Sequence, residues 1–196
     1  MRLALVLAGW ALTATSASAE ITEKSDAGFV SRSSADIAKP PMEVWTTLIA
    51  PAGWWNKAHS WSGDSANLYI DAQAGGCFCE LLPLPKDSVE GARRGSVEHM
   101  RVIHANPGQV LRLTGALGPL QGEAAVGTLT IMLKPVGGGT HIVWEYVVGG
   151  YMRFKSDEIA PAVDKVMSEQ LDRLVAKIGV LEGAPTEESP APAAAL

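Results

Sequence analysis

Apolar and polar residues alternate along the middle of the chain, and glycine-rich turns separate the alternating runs. Six segments show this period of two, which is typical of strands with one buried face. They are ANLYIDA, CFCELL, GSVEHMRVIHA, QVLRLTGAL, GTLTIMLKPV and THIVWEYVV. A shorter run of the same kind covers residues 28–36. Strands that follow one another this closely predict an antiparallel meander.

Two other stretches have helical spacing. Pro40 and Pro41 begin the first, and Pro51 interrupts it, so two short helices are predicted after the first strand. The second runs from Asp157 to Leu181 and carries one long apolar stripe. The sequence therefore predicts an α+β fold in which a curved antiparallel sheet of about seven strands wraps around a long C-terminal helix. A space is expected between the sheet and the helix.

The strand GSVEHMRVIHA does not sort cleanly into two faces. If Met100 and Val102 face the helix, alternation brings Glu98 and His104 inward with them and leaves His99 outside. A buried carboxylate needs a partner or a raised pKa, so an inward Glu98 would be a ligand contact or a general base. The alternative is that Glu98 lies near the rim of the sheet and is solvated.

The two cysteines lie two residues apart in CFCELL. Alternation predicts that Cys77 and Cys79 face the helix, while Phe78 and Glu80 lie on the other side. Residues two apart on a straight strand are separated by ~6.6 Å, which is near the upper limit for a disulfide. Two buried free thiols are therefore expected. No spacing of histidines and cysteines indicates a metal site, and no motif indicates a cofactor.

Six tryptophans are many for 196 residues, and three of them fall in WWNKAHSWSGD. Trp54, Trp55 and Trp61 follow the second predicted short helix, so they are expected at one end of the space between sheet and helix. Aromatic rings there can form structural core, a ligand-binding wall or a docking patch for another protein. All three interpretations remain open. His59, between them, is a candidate acid or base, although a loop histidine can equally serve packing.

The ends of the chain differ from its middle. Residues 1–19 combine Arg2, an apolar run and the small residues ASA, which predicts a signal peptide and export to the periplasm. That run is too short to cross a bilayer, and no membrane span is expected in the mature chain. Residues 183–196 are rich in proline and alanine and are predicted to be a disordered tail. Residues 20–182 then form one domain.

Charge excludes some partners. The formal net charge is −5, and the 16 basic residues do not cluster. Nucleic acids and anionic membranes are therefore not expected partners. No protein partner is indicated by the sequence.

Four segments carry a resemblance that touches nearly the whole of residues 27–181. They are PPMEVWTTLIAPAGWWNKAHSWSGDSANLYIDAQAGGCFCE, VEHMRVIHANPGQVLRLTGALGPLQ, GTLTIMLKPVGGGTHIVWEYVVGGY and IAPAVDKVMSEQLDRL. In order and motif the chain resembles the SRPBCC superfamily of helix-grip proteins, which includes START domains and birch-pollen-allergen-like proteins. More narrowly, it resembles the bacterial subgroup described as polyketide-cyclase-like or chaperone-ATPase-activator-like. The resemblance implies a deep hydrophobic cavity between the sheet and the C-terminal helix.

The function expected from these observations is binding of a small hydrophobic or aromatic molecule in that cavity. The alternative is an enzyme of the cyclase, dehydratase or hydrolase type that acts on an apolar metabolite there, with Glu98, Tyr146 or His59 transferring protons. A third possibility, a protein-interaction module, conflicts with export. The candidate cavity residues are Trp54, Trp55, Trp61, Cys77, Cys79, Met100, Leu113, Ile131, Trp144, Tyr146, Val163 and Met167.

Overall fold

A computed structural model describes residues 18–180, which form one large antiparallel sheet and a long C-terminal helix. The strands are β1 (Ser18–Ser25), β2 (Gly28–Ile37), β3 (Leu68–Ile70), β4 (Cys77–Leu81), β5 (Ser96–Asn106), β6 (Val110–Gly115), β7 (Ala124–Val136) and β8 (Gly139–Tyr151). Their order in the sheet is β1-β2-β8-β7-β6-β5-β4-β3. Strands β3 to β8 are therefore neighbours in chain order, and the predicted meander is confirmed.

Two α-helices accompany the sheet. Helix α1 (Pro41–Leu48) starts at the paired prolines and is followed by short 3₁₀ turns at Pro51–Gly53 and Lys57–His59, where a second short helix was predicted. Helix α2 (Ser156–Ile178) is the predicted C-terminal helix. The α+β fold class is thus confirmed, with eight strands in place of about seven. Within residues 18–180 neither helix is both long and apolar enough to cross a membrane.

Strand β1 is the element that sequence patterning missed. Its residues, SAEITEKS, include one large apolar side chain, Ile21, so no alternating pattern is visible. Pairing with β2 and an ion pair between Lys24 and Asp157 of α2 hold it at the edge of the sheet. The predicted signal peptide ends inside this strand, after Ala19. Residues 1–17 and the predicted tail at 183–196 lie outside the described residues.

The core lies between the concave face of the sheet and α2. Strands β7 and β8 contribute alternate residues to it, because successive side chains of a strand point to opposite faces. These residues are Leu129, Ile131, Leu133, Ile142, Trp144, Tyr146 and Val148. The second half of α2 closes the core with Leu171 and Leu174, which are fully buried.

Strand β5 departs from simple alternation at two places. Phe78 of β4 pairs with Met100, whereas the next residue pairs with Glu98, so His99 has no partner on β4. A second irregularity, between Val102 and His104, occurs opposite β6. An extra residue of this kind is a β-bulge, and it breaks the alternation of faces. Met100 and Val102 are buried as predicted.

The two bulges correct the predicted orientation of three side chains. Glu98 and His104 are exposed, and His99, which was expected on the outer face, is buried. Each bulge shifts the facing of the residues beyond it by one position. The solvated alternative for Glu98 therefore holds, and its carboxylate forms an exposed ion pair with Arg101 at 2.6 Å.

Candidate functional site

An apolar cavity of about 390 Å³ lies between the first half of α2 and the sheet. Its volume falls within the range of small-molecule sites in proteins. The segment 55–61, one residue of β5 and the β6–β7 connection form the remaining walls. The lining residues are Trp55, Ala58, His59, Ser60, Trp61, His99, Leu117, Gly118, Pro119, Ile159, Ala162, Val163, Val166 and Met167.

Helix α2 supplies one continuous stripe of this lining. Ile159, Ala162, Val163, Val166 and Met167 follow the i, i+3, i+4, i+7, i+8 spacing that places residues on one helical face. Beyond Met167 the same face packs into the core. The first half of the stripe therefore lines the cavity, and the second half packs in the core.

The three clustered tryptophans have different positions. Trp54 is buried in the core, where its ring lies 5.9 Å from that of Trp144. Trp55 is also buried, but it lines the cavity and donates a hydrogen bond from Nε1 to the carbonyl of His59 at 3.0 Å. Trp61 lines the cavity with 58% of its surface exposed, so it lies at the mouth.

Polar contacts fasten the segment 54–59 to α2. The side chain of Asn56 donates to Glu169, and its backbone N–H donates to Oε1 of Gln170 at 2.8 Å. His59 Nε2 lies 3.2 Å from the second oxygen of Glu169. The hydrogen bond from Asn56, with a smaller contribution from His59, lowers the pKa of Glu169 against the opposing effect of burial. This wall of the cavity is therefore held by directed hydrogen bonds as well as by apolar packing.

A buried acid–imidazole pair lies beside the cavity. Glu80 of β4 is fully buried, and its carboxylate is 2.9 Å from Nε2 of His99. The same carboxylate accepts hydrogen bonds from the backbone N–H groups of Trp61, at 3.0 Å, and Ser62. The ring of Phe78 lies 4.9 Å from the imidazole and covers it. His99 itself lines the cavity.

Hydrogen bonding fixes the charge of this pair. Burial raises the pKa of Glu80, but the hydrogen bonds from Ser62, Trp61 and His99 together outweigh it and hold the pKa below its usual value. Burial lowers the pKa of His99, and the attraction of Glu80 offsets this only in part. Near neutral pH the pair is therefore a carboxylate beside a neutral imidazole.

The predicted catalytic candidates occupy three separate places. Glu98 is solvated on the outer face, as described above. Tyr146 is buried in the core, where its ring lies over Gly127, and desolvation raises its pKa to about 12. Its hydroxyl accepts a hydrogen bond from the backbone of Leu117 at 3.2 Å. His59 lines the cavity beside Glu169. The structure thus brings one of the three candidates to the cavity.

Apart from the two cysteines, the predicted cavity residues divide into two groups. Trp55, Trp61, Val163 and Met167 line the cavity. Trp54, Met100, Leu113, Ile131, Trp144 and Tyr146 lie in the hydrophobic core instead of on the cavity wall. Alternation correctly places the second group on the concave face, but α2 and the tryptophans fill the space above most of that face.

The cysteine predictions are wrong in both bonding and orientation. Cys77 and Cys79 form a disulfide, and their Cα atoms are 5.4 Å apart. This distance is shorter than the ~6.6 Å expected between such residues on a straight strand. The pairing of β4 with β5 is irregular at this point. Both residues lie on the outer face, where Cys77 pairs with the exposed Arg101 and Cys79 with the exposed Tyr69, although Cys79 itself is buried as predicted. Phe78 and Glu80, predicted to be outside, are buried within.

His99 and Glu80 are the site residues that sequence reasoning missed. The signal that would have found them is a charged residue, Glu80, within an apolar strand beside a histidine-containing one. Alternation does not reveal the bulge in β5, so it placed His99 outside, and Glu80 was placed outside because the two faces of β4 were assigned the wrong way round. Among residues 18–180, no group of three or more histidine, cysteine or acidic side chains is arranged to hold a metal ion.

The fold and the cavity together define an α+β protein whose antiparallel sheet encloses a long C-terminal helix with an apolar cavity beside it. Solved structures with a similar fold include the Mll3558 protein from Rhizobium loti, with a TM-score of 0.53 at 18% identity over 76% of this chain and 95% of that one. CalU16 from Micromonospora echinospora has a TM-score of 0.51 at 15% identity over 88% of each chain.

A third similar structure is an uncharacterised protein from Rhizobium leguminosarum, with a TM-score of 0.53 at 18% identity over 84% of this chain and 98% of that one. No family model matches the chain, and no curated protein matches it. At these identities the similarity concerns the fold alone.

Proposed function

We propose that this protein binds a small hydrophobic or aromatic molecule in the cavity between α2 and the sheet. The observation that carries the proposal is the cavity itself, about 390 Å³ with a mainly apolar wall that includes Trp55 and Trp61. Sites for small molecules have this combination of an apolar lining and a few placed polar groups. Membership of the SRPBCC superfamily is part of the same proposal and is supported by the similarity in fold.

Filling the cavity tests this proposal. Val166 lies on the α2 stripe that lines the cavity, whereas its neighbour Lys165 is exposed. We expect Val166→Trp to weaken the retention of apolar probes such as 2-methoxynaphthalene by about tenfold or more, because the indole occupies the space of the ligand and overpacks the site. Equilibrium dialysis measures the effect, and Lys165→Trp is the matched control.

Two outcomes would count against the cavity. The first is that the wild-type protein retains none of a broad panel of apolar and aromatic probes. The second is equal retention by Val166→Trp and Lys165→Trp, which would place the bound molecule elsewhere on the surface. Circular dichroism of both variants establishes that the comparison is made between folded proteins.

The second candidate function is an enzyme that transfers protons within the same cavity. It is favoured by two imidazoles in the wall, His59 and His99, each beside a carboxylate. Acid–base catalysis requires such a positioned group. Mass spectrometry of a bound molecule after prolonged incubation separates the two functions, because a binder returns it unchanged.

We also propose export to the periplasm, on the basis of residues 1–19. The Cys77–Cys79 disulfide supports this, since disulfides persist mainly in oxidising compartments. Expression of the full chain in a bacterial host should yield a periplasmic protein that begins at Glu20 and contains no free thiol. Intact-mass measurement before and after alkylation checks both points. A full-length, reduced chain in the cytoplasmic fraction would contradict the proposal.

A further inference from the structure

The wall of the cavity contains the imidazole of His99, one ring nitrogen of which has no hydrogen-bond partner among residues 18–180. His99 Nε2 faces the carboxylate of Glu80 at 2.9 Å. An ionised carboxylate only accepts hydrogen bonds, so Nε2 must carry the proton of a neutral imidazole. The other ring nitrogen, Nδ1, is then an acceptor with a free lone pair. It makes no hydrogen bond to any residue between 18 and 180.

That nitrogen is not sealed within the protein. Among the described residues, the buried side-chain nitrogens and oxygens without a partner are Nε1 of Trp144 and Nε2 of Gln170. Nδ1 of His99 is not one of them, so it keeps some accessible surface. His99 lines the cavity, so a molecule bound there can reach its imidazole.

Glu80 fixes the tautomer of His99. Glu80 is held by the backbone N–H groups of Trp61 and Ser62 as well as by His99, so its carboxylate cannot turn away. The bulge in β5 directs His99 inward, and the ring of Phe78 packs against the imidazole. A histidine fixed by a carboxylate in this way presents its second nitrogen in one orientation.

We propose that His99 is the specificity residue of the cavity and that the natural ligand is an apolar molecule carrying a hydroxyl or N–H donor, which bonds to His99 Nδ1. Glu80 is a positioning residue that keeps this nitrogen an acceptor. The inference rests on the proposed binding function and names the chemical class of ligand for the same cavity. A hydrocarbon or an ether leaves the buried acceptor unsatisfied, which is unfavourable for binding.

The test compares two probes of similar size, 2-naphthol, which has a hydroxyl donor, and 2-methoxynaphthalene, which does not. We expect the wild-type protein to bind 2-naphthol about three- to tenfold more tightly in equilibrium dialysis, as one net hydrogen bond implies. His99→Phe should abolish this preference and keep affinity for 2-methoxynaphthalene. His104→Phe, on the exposed face of the same strand, is the control and should retain the preference.

A measurement on the wild-type protein avoids any folding defect in the variants. In protein labelled with ¹⁵N-histidine, the imidazole assigned to His99 should show the tautomer protonated at Nε2. Its Nδ1 resonance should shift on addition of 2-naphthol and remain in place with 2-methoxynaphthalene. A resonance that responds equally to both probes, or to neither when both bind, would overturn the inference.

The failures of the two proposals are distinguishable. If neither probe binds, the cavity is not a ligand site and the proposed function fails first. If both bind with equal affinity, the cavity proposal survives and the role of His99 is wrong. If the preference for 2-naphthol survives in His99→Phe and disappears in His59→Phe, the polar group that selects the ligand is His59, and the inference is again overturned.

Discussion

Replacement of Glu80 by alanine is expected to reduce the free energy of unfolding by about 3–5 kcal/mol, because three buried donors lose a charged acceptor and each unsatisfied group costs ~1–3 kcal/mol. Glu80 is fully buried and accepts hydrogen bonds from His99 and from two backbone N–H groups. Without the carboxylate, those donors remain buried with no acceptor, and each unsatisfied group adds to the loss. Urea unfolding followed by tryptophan fluorescence measures the change.

Glu98→Ala is the matched control for this experiment. Glu98 lies on the neighbouring strand, but its ion pair with Arg101 is about half exposed on both sides. Exposed ion pairs contribute ~0–1 kcal/mol, so this variant should be close to the wild type. Glu80→Gln should remain clearly destabilised, because one end of the amide places an N–H₂ group against donors that require an acceptor. Equal stability of the Glu80→Ala and Glu98→Ala variants would show that the buried pair is not structural.

Most of the fold follows from hydrophobic patterning. The strands β4 to β8 each have a recognisable alternating run, and glycine-containing turns separate them. Helix α2 was predicted almost to its ends, because its apolar stripe extends over more than twenty residues. Strand β1 could not be predicted in this way, since it lies at the sheet edge with little apolar surface to bury.

The candidate site was less predictable than the fold. Alternation assigns a face to each strand residue only while the pairing is regular, and β5 contains two bulges. The first bulge reverses the facing of Glu98 and His99, so Glu98, which simple alternation places inside, is outside, and His99, which it places outside, is within. The inward carboxylate is that of Glu80 on β4, a strand whose inner and outer faces were predicted the wrong way round.

The tryptophan cluster also shows where sequence reasoning ends. Its position beside the cavity follows from the order of elements, and Trp55 and Trp61 do line it. Their separate roles depend on burial, which the sequence does not show. Trp55 is enclosed by the rings of Trp54 and Phe78, at 5.6 Å and 5.1 Å between ring centroids. Trp61 is mostly exposed at the mouth.

This difference in burial predicts that Trp55→Ala costs about 3–5 kcal/mol in the free energy of unfolding, as large-to-small changes of buried aromatic residues do. The variant loses the contacts with Trp54 and Phe78 and the hydrogen bond from Nε1 to the carbonyl of His59. The space left by the indole also joins the existing cavity. The surrounding backbone cannot move in to fill this space, because Asn56 is hydrogen-bonded to α2.

Trp61→Ala provides the comparison within the same cluster. Because 58% of its surface is exposed, truncation of this side chain should reduce the free energy of unfolding by no more than about 0.5 kcal/mol. Both variants should bind 2-naphthol more weakly, because both rings contribute to the cavity wall. Urea unfolding and equilibrium dialysis of the two variants then separate the roles, since Trp55 affects stability and binding together and Trp61 affects binding alone. If Trp61→Ala leaves binding unchanged, its exposed ring is not part of the ligand site, and the interpretation of Trp61 as a docking surface for another protein becomes the stronger one.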